Sequence, residues 1–221
     1  MGRVPFGPTV ELQERIRRDV LAERGAETLL LLEHHPVITL GRSAEPAHVL
    51  AAEPDLARRG VELHRASRGG DVTFHGPGQL VGYPVVRLDR GVVGHLHAMA
   101  DGLCTVLTRL GIEATWRRDA PGLWVPTAGG QAKICSFGVH IQHRVAIHGF
   151  ALNVTVDLDA FGMIVPCGLS GVEMTSIQRQ LDAGELSSPA PGLPALASEV
   201  AVAFGRSFGR DFVRIDPAEL R

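Results

Sequence analysis

Apolar residues recur every three or four positions in three stretches of the chain, which is the spacing of an amphipathic helix. The three sets are Val10, Ile16, Val20 and Leu21; Leu96, Met99, Leu103, Leu107 and Leu110; and Leu196, Val200 and Phe204. Gly25 follows the first set and Gly111 the second, at positions where glycine commonly ends a helix. The pattern therefore predicts one helix near the beginning, one in the middle and one near the end.

Other apolar runs are too short for helices and predict strands, at residues 28–32, 37–40, 61–64, 112–116 and 123–125. Two longer alternating runs, residues 133–142 and 145–154, are separated by only His143 and Arg144, as in a β-hairpin. No repeat and no internal linker interrupts this order. We therefore expect residues 1–221 to form a single α/β (α+β) domain with a mostly antiparallel mixed sheet flanked by helices.

Glycine is concentrated in residues 67–84, S-R-G-G-D-V-T-F-H-G-P-G-Q-L-V-G-Y-P, after the predicted strand at residues 61–64. The β-branched and aromatic run Leu80, Val81, Tyr83, Val85 and Val86 at its end predicts a further strand that holds this segment in place. Glycine permits close approach of a ligand to the main chain, although it loses more entropy on folding than any other residue. We interpret this segment as one wall of a substrate pocket. A glycine-rich hairpin that binds nothing is the alternative, because glycine and proline mark turns as well as sites.

Composition excludes several classes of protein. The chain has 45% hydrophobic residues and a formal charge of −2, so neither disorder nor nucleic-acid binding is expected. No apolar run reaches the length of a membrane span, and no signal or transit peptide is recognisable. Three cysteines without a C-x-x-C pair favour a reducing compartment, so we predict a cytoplasmic protein without membrane association.

Lysine usage is the sharpest chemical signal. Lys133 is the only lysine in a chain that has 22 Lys and Arg together. Arginine can replace lysine in most surface roles but not where an amine must lose its proton, which favours a functional Lys133 over a chance surface residue. Alternation predicts that Lys133 shares one strand face with Cys135, Phe137, Val139 and Ile141, in a partly dry environment.

Each of the three cysteines is a possible nucleophile. Cys104 falls within the predicted middle helix, and Cys135 on the apolar strand face, so both are interpreted as buried core residues. Cys167 lies between Pro166 and Gly168, a context typical of a tight turn after a strand. A thiolate beside an ammonium group could attack an acyl carbon there, whereas an inert buried thiol is the competing interpretation.

The ten histidines do not show a recognised zinc-ligand spacing, and we expect neither a metal nor a cofactor. No phosphate-binding loop of the G-x-x-x-x-G-K-[ST] type is present either. His75 and His148 each precede a glycine in a segment that resembles a site. Either could be a general base or a hydrogen-bonding part of the pocket wall, and the wall is favoured.

Five blocks of residues occur in order along the chain: E-H-H-P-V-I-T-L-G-R at residues 33–42, R-G-G-D-V-T-F-H-G-P-G-Q-L at 68–80, A-K-I-C-S-F-G-V at 132–139, H-G-F-A-L-N-V at 148–154 and P-C-G at 166–168. With these blocks the chain resembles a known family, the lipoyl(octanoyl) transferases of bacteria. The sequence departs from the family pattern at Phe74, where tyrosine is frequent, and at Ala132, where a second basic residue is common. Neither departure touches the lysine or the cysteine.

The resemblance implies a fold similar to the catalytic domains of lipoate and biotin protein ligases. It implies transfer of octanoyl from octanoyl-acyl carrier protein to a lysine of lipoyl domains, those of 2-oxoacid dehydrogenase E2 subunits and of the glycine cleavage H protein, by an expected monomer. Cys167 would be the nucleophile and Lys133 its proton-shuttling partner. The implied acyl pocket comprises Arg68, Gly69, Gly70, Asp71, Val72, Thr73, Phe74, His75, Ser136, Phe137, Gly138, Gly149, Phe150 and Ala151.

Three other functions remain open on the sequence. An ATP-dependent ligase of the same fold would adenylate a free fatty acid and would need no acyl-accepting cysteine. A non-catalytic protein that binds an acyl group or a lipoyl domain would have no use for a paired lysine and cysteine. A thioesterase would share the first half-reaction and release a free acid.

Overall fold

The computed structural model describes residues 2–166, 171–184 and 188–216. The helices in these ranges are α1 (Phe6–Leu21), α2 (Glu53–Arg58), α3 (Gly91–Arg109), α4 (Ile177–Ala183) and α5 (Leu193–Phe208). Short 3₁₀ helices cover Pro46–His48 and Leu158–Met163. No helix in the described part of the chain is both long enough and apolar enough to cross a membrane. The three helices predicted from periodicity correspond to α1, α3 and α5.

Strands make up the centre of the molecule. They are β1 (Arg3–Val4), β2 (Thr28–His34), β3 (Val37–Leu40), β4 (Glu62–Arg65), β5 (Val72–His75), β6 (Gln79–Val85), β7 (Thr115–Arg117), β8 (Gly122–Thr127), β9 (Gly130–Gln142), β10 (Val145–Asn153) and β11 (Glu173–Met174). Eight of them form a large sheet in the order β1-β2-β6-β10-β9-β8-β7, with β11 paired to β9. The other three form a small sheet in the order β4-β3-β5. Most pairings are antiparallel, as expected; β1–β2, β3–β4 and β11–β9 are parallel.

The two faces of the large sheet are covered by different helices. Apolar side chains of α3 and α5, such as Leu103 and Phe204, pack with Leu123 and Leu152 of the sheet. Helix α1 covers the opposite face, where Ile16 packs in a separate cluster with residues of β2, β6 and β10. A third cluster lies under the small sheet. This layered α/β arrangement confirms the predicted fold class.

The predicted hairpin is present between β9 and β10. Its two turn residues, His143 and Arg144, have φ of 48° and 66°, which is the conformation of a two-residue turn that matches strand twist. Two long alternating runs separated by two residues were therefore sufficient to predict this hairpin.

Some elements differ from their predictions. The glycine-rich segment contains a strand, β5, because residues 72–75 pair with β3. Helix α1 ends at Leu21 and is followed by Glu23 in the left-handed region, so Gly25 is not its cap. Helices α2 and α4 and strand β11 were not predicted, since each is too short to show a period.

Candidate functional site

A cavity of about 780 Å³ lies where the small sheet faces strands β9 and β10 of the large one. The predicted site residues that line it are Arg68, Gly69, Gly70, Asp71, Val72, Thr73, His75, Lys133, Ser136, Phe137, Gly138, Gly149, Phe150 and Ala151. Phe74 is not among its described lining residues; its ring packs edge-on against Phe161, with centroids 5.8 Å apart. Cys167 lies outside the described residues. The cavity thus unites three segments that are far apart in the sequence.

Lys133 is 1% exposed and lines this cavity. A β-bulge decides which way it points, because Leu123 of β8 pairs with Cys135 whereas the next residue, Trp124, pairs with Lys133 and leaves Ile134 extra. Consecutive residues of β8 face opposite sides, so Lys133 lies on the face opposite to Cys135. The prediction that the two share one face is wrong by this one inserted residue. Without the bulge the amine would point into the core under α3.

Arg68 organises the glycine-rich segment around itself. The side chain is 8% exposed, and its guanidinium donates to the carbonyl oxygens of Gly69 and Asp71 and, at 2.6 Å, to that of Thr39. It also donates to the Thr39 hydroxyl. Strand β9 passes close to Arg68 at Gly138, where a Cβ would lie 2.9 Å from Arg68 Cδ. Arg68 therefore fixes the backbone conformation of the cavity wall that surrounds it.

His75 is bound on both ring nitrogens. Its Nδ1–H donates to Gln79 Oε1 at 2.8 Å, and its Nε2 lies 3.4 Å from the Thr39 hydroxyl. Burial, the neighbouring His34 and the Arg68 charge lower the pKa of His75 to about 3. A ring with so low a pKa is neutral and a weak proton acceptor at neutral pH, which favours the interpretation of His75 as pocket wall.

His148 interrupts the regular geometry of β10. It is 2% exposed and has φ of 60°, a conformation uncommon for residues other than glycine. Its backbone N–H donates to Gln13 Oε1 of α1 at 2.7 Å, and its ring Nε2 lies 3.1 Å from the Ser67 hydroxyl. Burial, followed by the Arg68 charge, lowers its pKa to about 3. This neutral ring lines the cavity.

Behind these two histidines lies a buried pair that the sequence analysis did not single out. Tyr83 O–H donates to His34 Nε2 at 2.7 Å, and His34 Nδ1–H donates to the Val4 carbonyl at 3.0 Å. Burial lowers the pKa of His34 to about 4 and raises the pKa of Tyr83. Tyr83 lines the cavity as well, so its wall is polar but uncharged on this side.

His48 is another lining residue that was missed. It ends the first 3₁₀ helix, and its Nδ1 contacts Asp71 Oδ2. Its carbonyl accepts a hydrogen bond of 2.8 Å from Val165 N–H, two residues before Cys167. Nothing in the local sequence distinguishes this histidine, because both contacts join segments that are distant in the chain.

Of the two cysteines in the described residues, Cys135 is a core residue, as expected, and Cys104 is half-buried and packs against the core. Cys135 is fully buried, and burial raises the pKa of its thiol well above its usual value. Burial also raises the pKa of Cys104 to about 11, and its thiol donates to the Ala114 carbonyl at 3.3 Å. Neither thiol is suited to nucleophilic attack. Among the described residues no group of three or more His, Cys, Asp or Glu is placed to hold a metal ion.

The chain is similar to known proteins over nearly its whole length. Residues 8–190 match a family model, the lipoyl protein ligase A/B catalytic domain. An octanoyltransferase of Acidobacterium capsulatum is 39% identical over 233 residues, which cover 100% of this chain and 93% of the relative. An octanoyltransferase of Koribacter versatilis is 46% identical over 188 residues, covering 82% of this chain and 74% of the relative.

Among solved structures, that of lipoate-protein ligase A bound with ATP superposes with a TM-score of 0.73 at 16% identity. The superposition covers 99% of this chain and 89% of that chain. At this identity the likeness concerns the fold, which is the fold the sequence resemblance implied.

Proposed function

Because the chain belongs to the lipoyl protein ligase A/B catalytic domain family, we propose that it is an acyltransferase that moves an octanoyl group in protein lipoylation. The observation that carries the proposal is the position of Lys133. The chain's only lysine is 1% exposed and yet lines a cavity of about 780 Å³. Such a buried amine at a cavity wall is typical of a group that handles protons.

The finer proposal is that Cys167 is the nucleophile that carries the acyl group as a thioester. The chain on both sides of Cys167 is tied to the cavity wall, which supports this assignment. On one side Val165 donates its N–H to the His48 carbonyl at 2.8 Å. On the other side Met174 pairs with Lys133 in the β11–β9 ladder.

The reaction would run in two acyl transfers. In the first, the Cys167 thiolate attacks the carbonyl carbon of octanoyl-acyl carrier protein. The bond from that carbon to the carrier sulfur breaks, and the carrier thiolate takes the proton of the Lys133 ammonium and leaves as the thiol. In the second, a lysine amine of a lipoyl domain attacks the enzyme thioester, the amide forms and the Cys167 thiolate is released. Lys133 as ammonium favours that thiolate, and as amine it can accept the proton lost by the attacking lysine. A thioester is already an activated acyl group, so the exchange needs no further activation.

The cavity has the size and lining for a medium acyl chain. A volume of about 780 Å³ falls within the usual range of small-molecule sites. Its lining combines apolar side chains, including Phe137, Val139 and Phe150, with the neutral imidazoles of His75 and His148. The part of the wall that these side chains form is uncharged, which favours burial of methylene groups there.

The experiment that tests the proposal is intact-mass analysis after mixing the protein with octanoyl-acyl carrier protein. We expect one octanoyl adduct, which disappears when a lipoyl domain is added and reappears on that domain. Cys167→Ala abolishes the adduct. A Cys167→Ala protein that still transfers octanoate at near the wild-type rate contradicts the assignment.

A second variant, Lys133→Arg, tests the proposed role of the lysine. It keeps the charge but cannot accept a proton, and it crowds the space that Gly122 leaves beside Lys133 Cε. We expect turnover to fall by about a hundredfold or more. Free octanoate as the product would indicate a thioesterase instead, and acylation only with free octanoate and ATP would indicate a ligase.

A further inference from the structure

Two residues of strand β8, Gly122 and Trp124, contact the Lys133 side chain. The bulge at Ile134 brings Lys133 opposite Trp124, two residues along β8 from Gly122. Gly122 itself pairs with Ser136 and has φ of 149°. A Cβ at Gly122 would lie 2.6 Å from Lys133 Cε and 2.2 Å from the Cys135 carbonyl oxygen, so only glycine leaves room for the lysine stem.

The second contact is with the face of the Trp124 ring. Lys133 Nζ lies over the indole at 5.1 Å from the ring centroid, within the range of a cation–π contact. Trp124 is 3% exposed, and its indole N–H donates to the Ala120 carbonyl at 3.0 Å, which holds the ring in one orientation. Arg117 also lies over this ring, at 4.8 Å.

From this geometry we infer that Trp124 is a positioning residue, which holds the Lys133 amine at the cavity wall. The inference rests on the proposed function, because it assigns Trp124 a role through Lys133. The indole face attracts an ammonium group and does not attract a neutral amine. The ring therefore fixes the position of the Lys133 ammonium group.

The kinetic test uses the rate at which Cys167 is alkylated by iodoacetamide, followed by peptide mass, together with single-turnover octanoylation. Trp124→Leu removes the ring, and Trp124→Phe keeps a weaker one. We expect alkylation and acylation to slow by about threefold to thirtyfold in Trp124→Leu and less in Trp124→Phe. The midpoint of the pH–rate profile should move to higher pH in the same order.

Trp116→Leu is the matched control. Trp116 lies on the neighbouring strand β7, paired with Leu123, and its ring contacts that of His97 at a tilt of 52°. Its replacement perturbs packing nearby without touching Lys133, so the pH midpoint should stay unchanged. Equal effects of Trp116→Leu and Trp124→Leu would overturn the inference.

A double-mutant cycle separates positioning from general destabilisation. If Trp124 acts through Lys133, then Trp124→Leu has no further effect on Cys167 alkylation in a Lys133→Met background. Additive losses would show that Trp124 has only a structural role. Should Trp124→Leu fail to fold, Trp124→Phe carries the same cycle.

Fluorescence gives a readout that packing alone would not move. The chain has two tryptophans, so Trp116→Phe leaves Trp124 as the single emitter. We expect its emission to change on alkaline titration and this step to vanish with Lys133→Met, since Arg117 keeps its charge. Persistence of the step in Lys133→Met would overturn the inference. Absence of any octanoyl adduct in the wild type, with the Lys133-dependent step intact, would refute the proposed function alone.

Discussion

Arg68 shows how one buried side chain can shape a site without being its chemical group. Its guanidinium is shared among three backbone carbonyls and the Thr39 hydroxyl. That hydroxyl is also the group nearest to His75 Nε2. An arginine presents five donors in a rigid fork, which suits a curved loop whose carbonyls converge on one point. Arg68 thus lines the cavity and also supports the backbone of the segment beside it.

Replacing Arg68 by lysine tests this support. A lysine has three donors on a single atom and cannot reach carbonyls that lie in different directions, so buried acceptors lose their partners. We expect Arg68→Lys to lower the free energy of unfolding by about 2–4 kcal/mol, measured by urea denaturation. Arg65→Lys, at an exposed position of β4, should change it by less than about 0.5 kcal/mol. Equal stability of the two variants would contradict the role of Arg68.

Among the elements, β11 depends most on side chains from other strands. Asn153 of β10 accepts a hydrogen bond from Gln79 at 2.9 Å and donates to the Thr175 carbonyl at 2.9 Å. Thr175 N–H in turn donates to the Lys133 carbonyl at 3.0 Å. Asn153 therefore links β6 and β10 to the segment that follows Cys167. The side-chain amide supplies both the donor and the acceptor that this link needs.

Asn153→Ala should loosen that segment. We expect a loss of about 1–3 kcal/mol in the free energy of unfolding, because Gln79 and the Thr175 carbonyl are left buried without their partner. Amide hydrogen exchange at Thr175 should become faster, and octanoylation slower. Gln180→Ala removes only a bond to the Thr175 hydroxyl and serves as the control. Unchanged exchange at Thr175 in Asn153→Ala would refute the link.

The molecule as a whole buries an unusual set of neutral imidazoles. Burial lowers the pKa of His34 and His95 to about 4 and of His75 and His148 to about 3. In the unfolded chain these histidines have pKa values near 6.5, so between these limits the unfolded state binds more protons than the folded state. Stability is then fully present above about pH 6.5 and falls as the pH drops towards 4 and 3.

The free energy of unfolding should therefore change steeply with pH in this range. Each of the four histidines contributes up to about 1.4 kcal/mol per pH unit in this window, an upper limit of about 5 kcal/mol per unit. Urea unfolding at pH 7.5, 5.5 and 4.5 measures it.

His95→Leu isolates one member of the set. The His95 ring packs on Phe208 away from the cavity, and its Nε2 has no hydrogen-bond partner among the described residues. Replacing His95 should lower the pH dependence of the free energy of unfolding by the contribution of about one proton. It should leave octanoylation unchanged. A flat profile for the wild type between pH 6.5 and 4.5 would contradict the assignment of buried neutral histidines.

The sequence by itself determined the features that depend on short-range order. Periodicity placed α1, α3 and α5, and alternation across His143 and Arg144 placed the β9–β10 hairpin. The glycine-dense segment and the single lysine indicated a pocket wall and an amine beside it. These signals are local, because helix and strand periods follow from the backbone geometry of a few neighbouring residues.

Only the tertiary structure decided where the lysine points and what surrounds it. Strict alternation puts Lys133 with Cys135 in the core, but pairing with β8 inserts a bulge and turns the amine to the cavity. The contact of Trp124 with Lys133 depends on the same bulge. The contacts of His48 and Asn153 join residues that are far apart in the chain. Such contacts depend on the register between strands and on which sheet each strand enters, and neither is encoded in the pattern of a single segment.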